Sequence, residues 1–209
     1  MSMTEAEART FCAERCDAEA MERFDAFIPM LAAENERQNL VSKKSLDRVW
    51  CRHIADSVQL CDYVPRETSA PWFDLGTGAG FPGLAIAIAR PEWPVVLVES
   101  RARRVEWLSH VSHKLDLDNC HIEGSRLEHV ETRKAGVITA RAFAPLGKLL
   151  DLSARFSTRS TTWLLPKGRS AVNELAEQPK AIRQMFHVEQ SATDADAAIL
   201  VGRGRPDIR

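Results

Sequence analysis

The stretch Asp74-Leu75-Gly76-Thr77-Gly78-Ala79-Gly80-Phe81-Pro82-Gly83 holds the residues best suited to chemistry. Its glycines alternate at 76, 78 and 80, directly after one apolar run and directly before another. Such a loop lets backbone pass close to a ligand where a Cβ would clash. The dinucleotide fingerprint G-x-G-x-x-G would put its last glycine at position 81, which is Phe81. A pyrophosphate cradle is therefore a poor fit, and nicotinamide-dependent redox chemistry is disfavoured with it. Glu99 closes the next apolar run about twenty residues further on, where an acid can hold two ribose hydroxyls. A positively charged ligand with a ribose diol and no phosphate meets these demands. S-adenosylmethionine is such a molecule. Gly76 and Gly78 are expected against it, with Asp74 either ordering the loop or reaching its ammonium.

Two cations stand where a target could meet that cofactor. Arg141 is expected at the end of a strand, able to grip the cofactor carboxylate, a nucleic-acid phosphate or base edge, or to pair with a helix carboxylate. Lys167 follows the next strand and is placed to meet phosphate, with a solvated loop lysine as the plain alternative. These two are the catalytic candidates, and with Arg126 they are the RNA-binding candidates; a surface ion pair is an equal expectation for Arg126. His53 and Asp56 lie three apart on one helix face, where tying a helical segment to the sheet is the stronger reading than catalysis. Lys43, Lys44, Arg48 and Arg52 form a basic run that fits RNA or solvent equally well.

The surrounding pattern says what must hold these residues. Thr4-Glu5-Ala6-Glu7 reads as a capping box and Asp17 as the cap of a second helix. Met21, Phe24, Ile28 and Leu31 would be the buried stripe of that helix, with a kink or interruption at Pro29. A third helix is predicted over Ser45 to Cys61. From Trp72 onward, strands and helices alternate: strands near 72–75, 95–98, 120–123, 136–139, 161–165, 185–189 and 198–201, with helices after the first, second and fourth strands and at 171–177. The expected fold is α/β, a Rossmann-like class I methyltransferase with a mostly parallel seven-stranded sheet, helices on both faces and an N-terminal helical cap. Its last two strands should form an antiparallel hairpin at one edge. The cap would span 1–64 and the cofactor-binding part 65–209, as one compact unit.

The 209 residues are 44% hydrophobic and 27% charged, which suits one globular α/β domain and argues against disorder. No apolar run is long enough for a membrane helix, and the acidic first residues do not read as a secretory signal, so a cytoplasmic location is expected. Five cysteines without C-x-x-C spacing read as reduced, partly buried thiols rather than a metal site, with Cys12 and Cys16 on one helix face. A net charge of −1 argues against coating nucleic acid without specificity, though not against a local basic patch.

Several blocks resemble one family. They are Asn39-Leu40, Arg52-His53-Ile54-Ala55-Asp56-Ser57, the loop with its Gly-Phe-Pro-Gly ending, and Thr139-Ala140-Arg141-Ala142-Phe143, with support from Glu99-Ser100, Ser125 to Glu128 and Lys167-Gly168. Together they resemble the bacterial small-subunit ribosomal RNA guanine-N7 methyltransferases, RsmG or GidB, over positions 20 to 170. The chain departs from the family pattern at Val41, where Thr is common, and at Glu34-Asn35, where Trp-Asn is usual. The resemblance implies methylation of N7 of one guanine, position 527 in the 530 loop of 16S ribosomal RNA. It implies cofactor contacts at Gly76, Phe81, Leu127, Glu128 and Arg141. The expected partner is 16S rRNA or a small-subunit precursor, with no membrane, no metal and a monomeric chain. A methyltransferase acting on another RNA, a protein or a small molecule is the alternative.

Overall fold

The computed structural model describes residues 2–207. Two helices open the chain, α1 (Glu5–Ala13) and α2 (Ala18–Asn35). Thr4 and Glu7 form the reciprocal capping box, and Asp17 accepts the Ala20 N–H at the start of α2. The predicted interruption at Pro29 does not occur, because α2 continues to Asn35. Pro29 faces solvent, where water can satisfy the carbonyl left without its helical donor. The buried stripe is Ala20, Phe24, Phe27 and Leu31, while Met21 and Ile28 are only partly buried. Cys16 lies past the end of α1, so the expected helical pairing with Cys12 is absent. The Asn35 side chain accepts the N–H groups of Leu40 and Val41, both at 2.9 Å, and closes the turn after α2.

The third helix is not continuous. It divides into α3 (Lys43–Leu46), a π-helical turn over Trp50–Ala55, α4 (Asp56–Val58) and a 3-10 turn over Gln59–Tyr63. Glu5, at the start of α1, accepts the N–H groups of Trp50 and Cys51, both at 2.9 Å. Those two donors are taken by a carboxylate from outside the helix, and the turn widens there. Single π turns recur at functional sites.

β1 (Trp72–Leu75) and β2 (Val95–Val98) are buried at all positions, as strands covered on both faces should be. α5 (Gly83–Ala89) separates them, and α6 (Ala102–Lys114) leads to β3 (Cys120–Glu123). β4 (Val137–Thr139), α7 (Leu146–Ser153) and β5 (Thr162–Lys167) follow. α8 (Ala171–Ala176) and α9 (Lys180–Met185), the latter missed by the sequence pattern, precede β6 (Phe186–Gln190) and β7 (Ala198–Arg203). The sheet has seven strands in the order β3-β2-β1-β4-β5-β7-β6, the first five parallel and β7 antiparallel to both β5 and β6, so that the last two strands form the predicted antiparallel hairpin at one edge.

Alternation along β1 divides the core. Trp72 joins the layer built from α2, the π turn, α5 and α6, whereas Phe73 and Leu75 face the layer that includes α7 and Ile182 of α9. The chain leaves β1 toward β2 and β3, then returns to place β4 on the other side of β1. Loops after β1 and β4 diverge at that reversal, and the crevice between them is where such sheets bind ligands.

Candidate functional site

The loop after β1 is held open by its own neighbours. Gly76, Gly78 and Gly80 adopt φ values of +68°, +60° and +109°, a region that disfavours side chains. Asp74 is fully buried; its Oδ2 accepts the Gly83 N–H and its Oδ1 the Thr139 hydroxyl, both at 2.9 Å. Burial pushes its carboxyl up, and the bonds from Gly83 and Thr139 oppose that. Of its two expected roles, this geometry is that of ordering the loop. Glu99 is also buried. It accepts the Gly78 N–H at 3.1 Å and the Ser100 and Arg101 N–H groups at 2.8 and 2.9 Å. A carboxylate has about four acceptor positions, so capacity for a hydroxyl remains. A Cβ added to Gly78 would meet nothing nearer than Arg104 Nη1 at 3.5 Å. Bare backbone beside an acid, over open space, fits a ribose-bearing cation such as S-adenosylmethionine.

Leu127 and Glu128 begin a 3-10 turn soon after β3, at the same edge of the sheet; Leu127 is buried and Glu128 exposed. Phe81 is buried. Its ring stacks on His53 with centroids 4.7 Å apart and meets Phe27 edge-on at 5.7 Å.

A cleft of about 960 Å³ opens at the carboxyl ends of β4 and β5. Arg52, His53, Asp56, Arg141, Phe143 and Lys167 are among its lining residues. The glycine loop is not part of its wall; the two meet at Phe143, whose ring lies so close to Gly76 that a Cβ there would be 2.4 Å from Cδ2. Arg126 is exposed and does not line the cleft, so it stands apart from Arg141 and Lys167.

Arg141 and Lys167, the two candidate cations of the cleft, are both paired. Arg141 Nη1 lies 3.4 Å from Asp56 Oδ2, and its Nη2 is 3.2 Å from His53 Nδ1. The ion pair with a helix carboxylate, one of the alternatives for Arg141, is therefore present, and the guanidinium still lines the cleft. Lys167 donates to Glu174 at 2.8 Å with its side chain mostly buried, so it is not a solvated loop lysine. Glu174 was invisible to sequence reasoning: it lies seven residues past Lys167, and nothing in its type or spacing points back. Burial, then the charges of Arg141 and Arg52, push the His53 imidazole down to about 3. His53 is thus neutral, Nδ1 accepts from Arg141, and its buried Nε2 has no hydrogen-bond partner among the described residues. Of the basic run, Lys43 and Lys44 are exposed, whereas Arg48 donates to the Met3 carbonyl and Arg52 pairs with Asp194.

The buried cysteines are far from activated. Burial pushes the Cys61 thiol up to about 12, and Cys12 is raised for the same reason. Among the described residues no group of three or more His, Cys, Asp and Glu is arranged to hold a metal, and no helix is long and apolar enough to cross a membrane.

A sheet of this order, closed by an antiparallel hairpin, with a glycine loop after β1 and an acid after β2, is the fold of a Rossmann-like class I methyltransferase. Solved structures share it. A precorrin-6y C5,15-methyltransferase from Geobacter metallireducens aligns with a TM-score of 0.54 at 10% identity, over 81% of this chain and 92% of that one. A mutant of MtNAS in complex with S-adenosylmethionine aligns with a TM-score of 0.57 at 13% identity, over 93% and 80%. The family GidB, rRNA small subunit methyltransferase G, matches residues 20–198. The ribosomal RNA small subunit methyltransferase G of Erythrobacter litoralis is 63% identical over 205 residues, 98% of this chain and 99% of that protein. The chain belongs to the GidB family of small-subunit rRNA methyltransferases.

Proposed function

We propose that this chain methylates N7 of a guanine in the 530 loop of 16S ribosomal RNA, with S-adenosylmethionine as donor. It does so as a cytoplasmic monomer acting on the RNA or a small-subunit precursor, its cap (1–64) and sheet (65–209) working as one unit. The observation that carries the reading is the junction at Phe143, where a glycine loop with Glu99 beside it adjoins a cleft large enough for a nucleotide. The chemistry that S-adenosylmethionine supplies when bound is an activated methyl group on a positive sulfur.

Gly76, Gly78, Phe81, Glu99, Leu127 and Glu128 line the cofactor edge in this reading, Asp74 supports the loop, and Arg126 and Lys167 serve the RNA. Guanine N7 has an in-plane lone pair and no proton, so the protein need supply no general base; its task is orientation, worth about 7–11 kcal/mol at best. Residues 140–143, Ala-Arg-Ala-Phe, stand where amine methyltransferases carry Asn/Asp-Pro-Pro-aromatic. None of the cleft-lining residues is a cysteine, which carbon methylation of a pyrimidine would use as its nucleophile. Methylation leaves a positive charge on the guanine. Arg141 and Lys167 are each neutralised by a carboxylate, so the cleft can receive that charge without an unpaired cation against it.

The test is incubation with labelled S-adenosylmethionine and deproteinised 16S RNA, then nucleoside mass analysis. 7-Methylguanosine from the 530 loop is expected; its absence from every ribosomal RNA precursor overturns the reading.

A further inference from the structure

We propose that Asp56 and His53 are positioning residues for Arg141, and that the loop between β6 and β7 clamps Asp56 from outside. The proposal rests on the reading above in one respect, that Arg141 meets cofactor or RNA. The π turn gathers its partners. Arg141 Nη1 donates to the Arg52 carbonyl at 3.3 Å and to Asp56 Oδ2 at 3.4 Å, and Nη2 to His53 Nδ1 at 3.2 Å. The guanidinium carbon stands 5.3 Å from the centre of the Phe81 ring, on which the His53 imidazole also stacks. A guanidinium has five N–H donors in a rigid fork, so these three contacts leave two for a ligand. The chain reaches this place through Ala142 at φ +53°, a left-handed turn in a residue with a Cβ, of the kind that persists where its surroundings enforce it.

The two oxygens of Asp56 divide the work. Oδ2 faces Arg141, while Oδ1 accepts from Gln59 Nε2 at 2.9 Å and from the Thr193 hydroxyl at 3.0 Å. Thr193 is buried, and its carbonyl accepts the Met3 N–H at 3.1 Å; Gln59 Oε1 accepts the Ala192 N–H at 2.9 Å. The chain start, the cap and the terminal hairpin therefore converge on one carboxylate. A motif that only tied cap to sheet would need no guanidinium at its centre, with two donors to spare and a cleft beside it.

The experiment compares kcat and KM of the full chain for wild type, D56N, D56E, T193V, R141A and the D56N/R141A pair, with the folded fraction of each counted from its urea melt. D56N is expected to lower kcat per folded site by about 10²-fold, the scale set by a misplacement near 1 Å, with little change in KM for RNA. D56E should recover part of that loss, and T193V should lose several-fold. D56N/R141A should be no slower than R141A alone, because both act through one guanidinium. Independent multiplication of the two losses, or wild-type kcat in D56N, overturns the proposal. Should D56N not fold, T193V carries the kinetic comparison, and ¹⁵N spectra of wild type must show His53 protonated at Nε2 with slow rotation of the Arg141 guanidinium; an Nδ1-protonated ring overturns it. A wild-type chain that makes no 7-methylguanosine rejects the proposed function instead, and the spectra then decide the positioning role alone.

Discussion

Gly78 shows what a single residue decides. It sits at φ +60° with its N–H on Glu99 and open space where a side chain would project. Gly78→Val should abolish S-adenosylhomocysteine binding in isothermal titration while the protein still unfolds cooperatively, losing about 1–2 kcal/mol to the left-handed backbone. Wild-type affinity in that variant would place the cofactor elsewhere. His53 decides a pH dependence. Its imidazole stays neutral in the folded protein down to about 3, against an ordinary 6.5. Below the ordinary value the unfolded chain binds a proton that the folded one refuses, so stability falls as pH drops from about 6.5 toward 3, by at most about 1.4 kcal/mol per pH unit. Urea melts of H53Q between pH 7 and 5 should be flatter than wild type. Identical slopes would mean that the imidazole takes up its proton in the folded state.

At the scale of elements, the broken third helix of the cap is shaped by segments outside that helix. Glu5 reaches from α1 to the backbone of Trp50 and Cys51 and stabilises the π turn that presents Arg52 and His53 to the cleft and leads into Asp56. Glu5→Ala leaves two backbone donors at buried residues without acceptors, each worth about 1–3 kcal/mol. The variant should melt several degrees lower, and amide exchange should quicken first at Trp50 and Cys51. Unchanged protection there would show that the turn keeps its width without the carboxylate. The terminal hairpin acts in the same way, since the loop between β6 and β7 meets Asp56, Gln59 and Arg52.

For the whole molecule, charge limits how RNA is held. Net charge is −1, and the cleft cations Arg52, Arg141 and Lys167 each have a carboxylate partner. RNA binding should therefore weaken only modestly with salt, with a log–log slope no steeper than about −2, three phosphates at roughly −0.7 each for a single strand. Lys167→Ala should lower that slope by less than about one unit in gel shifts across salt; a slope near −6 would mean an RNA surface far wider than the cleft. What the residues settled alone is local in origin. Apolar runs buried on both faces announced parallel strands, the spacing of Gly76, Gly78 and Gly80 announced the loop, and Glu99 fell where the second strand had to end. The terminal hairpin was also legible, because two strands with no helix between them can only run antiparallel as neighbours. Tertiary structure decided what depends on contacts between distant segments. Glu5 broke the third helix from 45 residues away, Glu174 came to Lys167 through a loop and a helix, and Thr193 came to Asp56 from the far edge of the sheet. Periodicity reports how a segment buries its own side chains; it carries no record of which carboxylate another segment brings to it.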